Sequence, residues 1–344
     1  MPKVSIIIPV YNTKPYLEAC LDTIINQSLQ DIEIICINDG STDGSLNILE
    51  AYAERDARIT VLSQENKGQS SARNLGLSIA TGEYVYFMDS DDLLSLDSLS
   101  YLYGLAQQQQ LDIVYFNADV FFESEQVKKD NLNYVDYYVR NASYPNVQSG
   151  LELLIAMEAQ KDYKPSPCLQ FIRMRHLQKN NIRFYEGIIH EDNLFSFLTI
   201  VSAERAMQIE NVFFHRRVRE DSTMTKAKSA KNVIGYFTCF VEMQQYCLCH
   251  QLENSALTGL MEEVLQNARK DYEALSTVER KKVTWPQSSE NNLLFDQLVK
   301  RTRLKNKLKS ILLYIPRKLQ RIWKYYCEHG LSETLQKVKQ KLLK

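Results

Sequence analysis

The 344-residue chain lacks several features that would classify it at once. No stretch reads G-x-G-x-x-G or G-x-x-x-x-G-K-[ST], so neither common glycine-rich phosphate cradle is available. No apolar run approaches the roughly 20 residues a membrane-spanning helix needs. The amino terminus, MPKVSIIIPVY, has a short apolar core interrupted by Pro9 and no small-residue cleavage site, so a secretory leader is not expected. Low complexity is confined to Gln107–Gln110, and there is no internal repeat, which excludes solenoids. The seven cysteines are odd in number and scattered, which argues against a disulfide framework and for a reducing, cytoplasmic setting. Cys20 and Cys36 fall on apolar faces and read as core thiols. Cys247-Leu-Cys249-His250 has no second pair to complete a metal site and reads as a packed helix face.

What is present is enough apolar material for a full core, 44% of residues, and a segregated charge. The net charge is −1, yet from Lys300 onward there are 14 basic residues against only Glu328 and Glu333. The rest of the chain keeps 27 of the 41 basic residues and 40 of the 42 acidic ones. An acidic body with a basic tail points to an anionic partner for the tail alone. Nucleic acid is not expected, because the body is acidic and carries no recognition motif.

Strand and helix signals alternate through the first half. Strands are expected at Val4–Val10, Ile32–Ile37, Ile59–Leu62 and Tyr84–Met88. Helices are expected from Pro15, with Leu17, Cys20, Leu21, Ile24 and Ile25 on one face, then through Tyr52, and over Ser70–Ala80. The strands are continuous apolar runs, as in a parallel sheet covered by helices on both faces. Leu111–Phe122 reads as a long strand or a strand pair, the middle to about residue 210 is irregular, and 229–275 reads as helical. A polar linker follows near Trp285–Asn292. The tail then shows three amphipathic faces, built on Leu304–Ile315, Leu319–Tyr326 and Leu331–Leu342.

Polar clusters recur where these strands should end: Tyr11-Asn12, Asp39-Gly40-Ser41, and Asp89, Asp91 and Asp92 in GEYVYFMDSDD. Ligands of open α/β sheets bind beyond the carboxyl ends of the strands. Three carboxylates within four residues repel one another, so something positive belongs there. A hard divalent cation, Mn²⁺ or Mg²⁺, is one reading, and an acidic turn capping the next helix is the other. With no glycine loop present, a metal is the natural holder of any diphosphate.

VSIIIPVYN, INDGSTDGS, NKGQSSARNLGLSIATGEYVYFMDSDD and HEDNLFSF occur in that order. Together they resemble family 2 glycosyltransferases of the α/β GT-A fold, above all bacterial enzymes building capsular, exopolysaccharide or O-antigen chains. The resemblance covers residues 3 to about 115 and returns at 187–225. It implies a catalytic domain over 1–225, with a nucleotide-sugar half at 1–115 and an acceptor half at 116–225. A helical extension at 226–285 and basic amphipathic helices at 286–344 would follow.

The resemblance also implies roles. Pro9 and Tyr11 would pack on a uracil, with Asp39 accepting its ring N–H. Lys67 and Arg73 would approach the nucleotide. Asp89 would face the ribose or metal, and Asp91 would bind the metal. Asp92 is read as a metal neighbour or as the cap of the following helix. Asp192 would be the base of an inverting transfer, with Glu191 assisting and His190 a neighbour. An acidic helix start is the competing reading of Glu191 and Asp192. Arg217, Arg219 and Ser222 match a family segment, R-x-R-x-x-S, that closes on the diphosphate, while His215 and Arg216 replace its usual tyrosines. The implied partners are a nucleoside diphosphate sugar, probed first as UDP-linked, and a lipid-linked oligosaccharide acceptor. The tail is read as lying on the anionic inner face of the membrane, making the protein peripheral, or else as packing on the body. Two other functions compete: a sugar-phosphate nucleotidyltransferase, whose glycine-rich loop is replaced here by Val10-Tyr11-Asn12, and a catalytically inactive membrane scaffold.

Overall fold

A computed structural model describes residues 1–220 and 228–284; Ser222 and the amphipathic tail lie outside the described residues. The first half alternates as its pattern predicts: β1 (Val4–Val10), α1 (Lys14–Ile25), β2 (Ile32–Asp39), α2 (Ser45–Arg55), β3 (Ile59–Gln64), α3 (Gln69–Ile79) and β4 (Tyr84–Phe87). β5 (Leu93–Leu94), α4 (Ser98–Gln108), β6 (Ile113–Phe122) and α5 (Glu125–Asp130) follow. Then come α6 (Gly150–Gln160), β7 (Gln170–Arg173), α7 (Met174–Lys179), α8 (Glu191–Val201) and β8 (Ala206–Val218). Three helices, α9 (Ala230–Cys249), α10 (Ser255–Ala274) and α11 (Thr277–Lys282), complete the described chain.

The strands form one sheet in the order β3-β2-β1-β4-β7-β6-β8-β5. β3, β2, β1 and β4 are parallel, with Val4 facing both Ile32 and Tyr84. All seven residues of β1 are buried, which is why this strand reads as an unbroken apolar run. Alternate β1 residues Val4, Ile6, Ile8 and Val10 pack in a core with Leu17, Cys20, Leu21 and Ile24 of α1. On the other face, Ile7 meets α3 so closely that a Cβ on Gly76 would stand 2.5 Å from Ile7 Cγ2. Each such aliphatic side chain, fully buried, is worth about 1.5–3 kcal/mol.

The structure departs from the sequence expectations in definite ways. β7 is antiparallel to both β4 and β6, so the sheet is mixed rather than wholly parallel. β7 and β5 are four and two residues long, too short for a periodic signal. β3 is an edge strand with only Ile59 buried, so it is not enclosed on both faces. Leu111–Phe122 gives one strand, paired along its length with β8 and interrupted by bulges near Asn117. β2 runs two residues past Ile37, which makes Asp39 the strand's last residue. Cys20 and Cys36 are buried core thiols, as expected.

Residues Met1–Val283 form one compact unit. Within it α9 packs between α8 and α10. A Cβ on Gly235 of α9 would lie 2.0 Å from the Ile189 carbonyl oxygen, so this glycine lets the helix press against the segment leading into α8.

Candidate active site

β1, β2 and β4 run in one direction, so their carboxyl ends share one edge of the sheet. A cleft of about 450 Å³ opens over that edge. Pro9, Tyr11 and Asp39 line it, together with Asp89 to Asp92. His190, Glu191 and Asp192 face them from the start of α8, with Arg216, Arg217 and Arg219 from the end of β8. Tyr134, Tyr137 and Tyr138 also line the cleft, as do Pro165, Ser166 and Pro167.

The INDGSTDGS segment shapes the rim. Asn12, at φ 52°, takes a hydrogen bond from the Thr42 N–H at 2.8 Å, and its own N–H donates to Ser41 Oγ at 3.1 Å. Asp39 is 3% exposed. Its carboxylate accepts from Gln64 Nε2 at 2.8 Å and from the backbone N–H groups of Lys67 and Gly68, each at 2.9 Å. A carboxylate has about four acceptor positions, so Asp39 holds the start of α3 in place and keeps one position in reserve. Lys67 contributes its backbone to this arrangement; its side chain is exposed and does not line the cleft.

The acidic strand end is balanced by arginines. Asp89 Oδ1 accepts from Arg73 Nη2 at 2.7 Å, and Asp91 Oδ2 accepts from Arg219 Nε at 2.8 Å. Asp92 is 3% exposed and takes the Arg217 N–H at 2.7 Å. Burial, with Asp91 and Asp89 nearby, pushes the Asp92 carboxyl well above the usual range. Asp92 does not cap the next helix: Asp97 occupies that position before α4. Arg217 also reaches the Asp91 carbonyl at 2.9 Å and stacks between the rings of Tyr16 and Phe121, at 4.9 and 4.5 Å.

Arg73 joins this strand end to the start of α8. It is 2% exposed, and its Nη1 donates to Glu191 Oε1 at 3.2 Å. Gln69 Nε2 donates to the same oxygen at 2.5 Å. Glu191 is thus a buried, ion-paired carboxylate. Asp192 is its opposite: it retains surface in the cleft and is bonded by the Asn193 N–H and Nδ2, both at 3.0 Å. Burial, then the Glu191 charge, push Asp192 up to about 7. Both acids do open α8, so the helix-start reading of these residues is correct as geometry. The desolvation of Asp192 nevertheless leaves it titrating where a general base works best. His190, at φ 69°, stacks on Tyr236 with ring centroids 3.8 Å apart. Burial, with the Lys228 charge, pushes it down to about 4, so it is neutral at pH 7.

The donor set suits a hard cation only in part. Asp91 and Asp89 are carboxylates with side chains 21% and 38% exposed. Among the described residues, no three His, Cys, Asp or Glu side chains converge. An ion there would draw most of its oxygen shell from ligand phosphates and water, the manner in which Mg²⁺ binds few carboxylates.

Residues 5–178 match the family described as Glycosyl transferase family 2. The chain belongs to that family. EpsJ of Bacillus subtilis, an uncharacterized glycosyltransferase, is 52% identical over 114 residues, 33% of each chain. The chain thus spans about a third of that relative's length. The fold resembles that of S. aureus TarS residues 1–349 in complex with UDP-GlcNAc, with TM-score 0.64 and 22% identity over 82% of this chain and 78% of that one. It also resembles the mannosyltransferase PcManGT of Pyrobaculum calidifontis in complex with GDP-Man and Mn²⁺, with TM-score 0.54 and 17% identity over 91% and 85%. The expected α/β GT-A architecture is therefore the one the chain adopts.

In this family 2 domain the cleft gathers Pro9, Tyr11, Asp39, Arg73, Asp89, Asp91, Glu191, Asp192, Arg217 and Arg219. Lys67 stands outside it, and Ser222 is beyond the described residues. His215 does not line the cleft either. Its Nε2 pairs with Ser95 Oγ at 2.9 Å and its Nδ1 with Asp119 at 2.7 Å, clamping β8 between β5 and β6. Sequence reasoning missed Gln69 and the wall Tyr134–Tyr138. The tyrosine density of NYVDYY was a visible signal, but nothing local tied it to the strand ends far earlier in the chain.

Proposed function

We propose that the protein moves a sugar from a nucleoside diphosphate sugar, UDP-linked, to a sugar hydroxyl of a growing lipid-linked cell-surface polysaccharide, inverting the anomeric carbon. The observation that carries this reading is the placement of Asp192: a carboxylate lining the cleft at the start of α8, beside a Glu191 that is ion-paired with Arg73. Asp192 takes the proton of the acceptor hydroxyl while that oxygen bonds to the anomeric carbon. The bond to the diphosphate breaks from the opposite side, and its electrons leave with the phosphate. Arg217 and Arg219, which line the cleft, would offset that charge by donating hydrogen bonds to phosphate oxygens. Tyr11, 49% exposed at the rim, and Pro9 are the surface offered to the base, and Asp39 keeps an acceptor position for its ring N–H.

Asp91, with Asp89, would hold Mn²⁺ or Mg²⁺, which when bound supplies positive charge to the two phosphates. The division into a donor half, 1–115, and an acceptor half, 116–225, belongs to the same proposal. So does peripheral attachment to the inner membrane face through the basic segment 286–344, supported by its charge segregation. No helix among the described residues is long and apolar enough to cross a membrane.

The test is a screen of UDP- and GDP-sugars for turnover with Mn²⁺ and Mg²⁺ titrated separately. Asp91→Asn should lose nearly all turnover while keeping the wild-type circular dichroism. Full activity of that variant across both titrations would remove the metal assignment. Absence of turnover with every donor would remove the transferase reading.

A further inference from the structure

The segment between α5 and α6 carries an exposed surface that the donor chemistry leaves unused. Twelve large apolar side chains are exposed among the described residues, and four of them, Leu132, Val135, Tyr137 and Val139, fall within eight positions. Their exposures are 62%, 40%, 39% and 56%. Clustering of this kind on a soluble surface marks a contact site. The short 3₁₀ turn Leu132–Tyr134 and the turns after it hold the aromatic members in fixed relation. Tyr134 and Tyr137 meet edge to face at 5.8 Å, and Tyr137 meets Tyr138 at 4.8 Å and 88°. Tyr138 is anchored by a hydrogen bond from Arg216, and Lys164 Nζ lies 5.0 Å from the Tyr137 ring centre.

The tyrosines of this segment reach the cleft, while Val135 lines a second cavity with Phe121, Phe122 and Lys128. Tyr134, Tyr137 and Asp192 line the same cavity. The Asp192 charge, second to burial, raises the Tyr137 hydroxyl, as expected for close neighbours. In the transfer reading the donor is held by Pro9, Tyr11, Asp39, Arg217 and Arg219, which leaves Tyr134 and Tyr137 of the cleft lining for the second substrate. A tyrosine ring offers an apolar face to the C–H face of a pyranose and a hydroxyl to its rim. Leu132, Val135 and Val139 offer no hydrogen bonds, only apolar area.

We propose that residues 132–139 form the acceptor platform, with Tyr134 and Tyr137 receiving the acceptor's pyranose ring and Leu132, Val135 and Val139 receiving an apolar aglycone attached to it. This rests on the transfer reading above and assigns its acceptor to a surface of the described chain, independent of the basic tail. The acceptor is then selected as a glycolipid, by sugar and chain together.

The test uses methyl β-D-glucopyranoside and octyl β-D-glucopyranoside, the latter below its micelle concentration. Affinities are read by saturation-transfer NMR on the full chain, with UDP and GDP binding measured separately by calorimetry. Octyl glucoside should bind at least tenfold more tightly than methyl glucoside. Leu132→Ser with Val135→Ser should erase that advantage while keeping the methyl glucoside signal. Tyr137→Ala should lose both ligands, whereas Tyr101→Ala, an exposed tyrosine outside the cleft lining, should change neither. UDP affinity should be the same in the serine pair and in Tyr101→Ala as in the wild type. Equal affinities of the two glucosides, or octyl binding that survives the serine pair, would overturn the platform and show adventitious detergent adsorption. Failure of both glucosides to bind while UDP binds would overturn the platform and leave the transfer reading standing. Failure of every nucleotide would instead remove the transfer reading.

Discussion

Arg73 Nη1 lies 3.2 Å from Glu191 Oε1, with both side chains 2% exposed. The two residues are 118 positions apart, yet the pair ties the strand that carries the acidic cluster to the helix that carries Asp192. A charge this deep is stable only when matched, so the pair fixes how the two walls of the cleft face each other.

Replacing Arg73 by Met should therefore destabilise the fold by about 3–5 kcal/mol, because it leaves Glu191 buried without a counter-charge. Urea denaturation of the purified variant measures this. A change below 1 kcal/mol would show that the pair is not what holds the walls together.

Asp192→Asn should retain donor binding and lose transfer by about 10²–10⁴-fold, the usual contribution of a positioned base. Calorimetry of donor binding beside a transfer assay separates the two steps. Wild-type transfer would exclude Asp192 as the base.

Transfer should increase with pH around the Asp192 value of about 7, because only the ionised carboxylate accepts a proton. Glu191→Gln removes the neighbouring negative charge, so the midpoint should move to lower pH. The same shift carries a stability signature of definite sign. The folded value lies above the 3.8 of a free carboxyl, so the stability linked to Asp192 is complete below 3.8 and is lost as pH rises through about 7. Asp192→Asn should accordingly melt above wild type, by more at pH 8 than at pH 5.5. Equal melting differences at the two values would refute the raised pKa.

Gly235→Ala places a methyl group 2.0 Å from the Ile189 carbonyl oxygen, a backbone atom that cannot swing aside. Ile189 precedes His190 and the start of α8, so the strain should displace Asp192. The expected result is a tenfold or larger fall in kcat, on the order of the loss that misplacing a reacting group by about 1 Å produces, with the helical circular dichroism retained. Unchanged kcat would show that the segment shifts freely.

Much of the donor side was legible because its signals are local. β1, β2 and β4 are nearly uniform apolar runs, and Asp39 and the Asp89–Asp92 cluster mark where they end. The rest was hidden for physical reasons. β5 and β7 are too short to show a period, and β7 reverses the sheet's direction without any residue that announces it. Arg73 reads locally as one more charge on a helix, and Tyr134–Tyr138 as an irregular polar stretch.

The sequence by itself determined the strand-helix alternation, the core face of each helix and the residue types available at the strand ends. These depend on backbone period and burial, which act within a few residues. The tertiary structure alone decided which carboxylate is ion-paired and which is raised by burial. Glu191 and Asp192 are adjacent carboxylates at the start of one helix and look equivalent in the chain. Arg73 and Gln69 reach the first across the cleft, while burial and that first charge raise the second. Desolvation and Coulomb interaction depend on distance in space, and only the folded chain sets those distances.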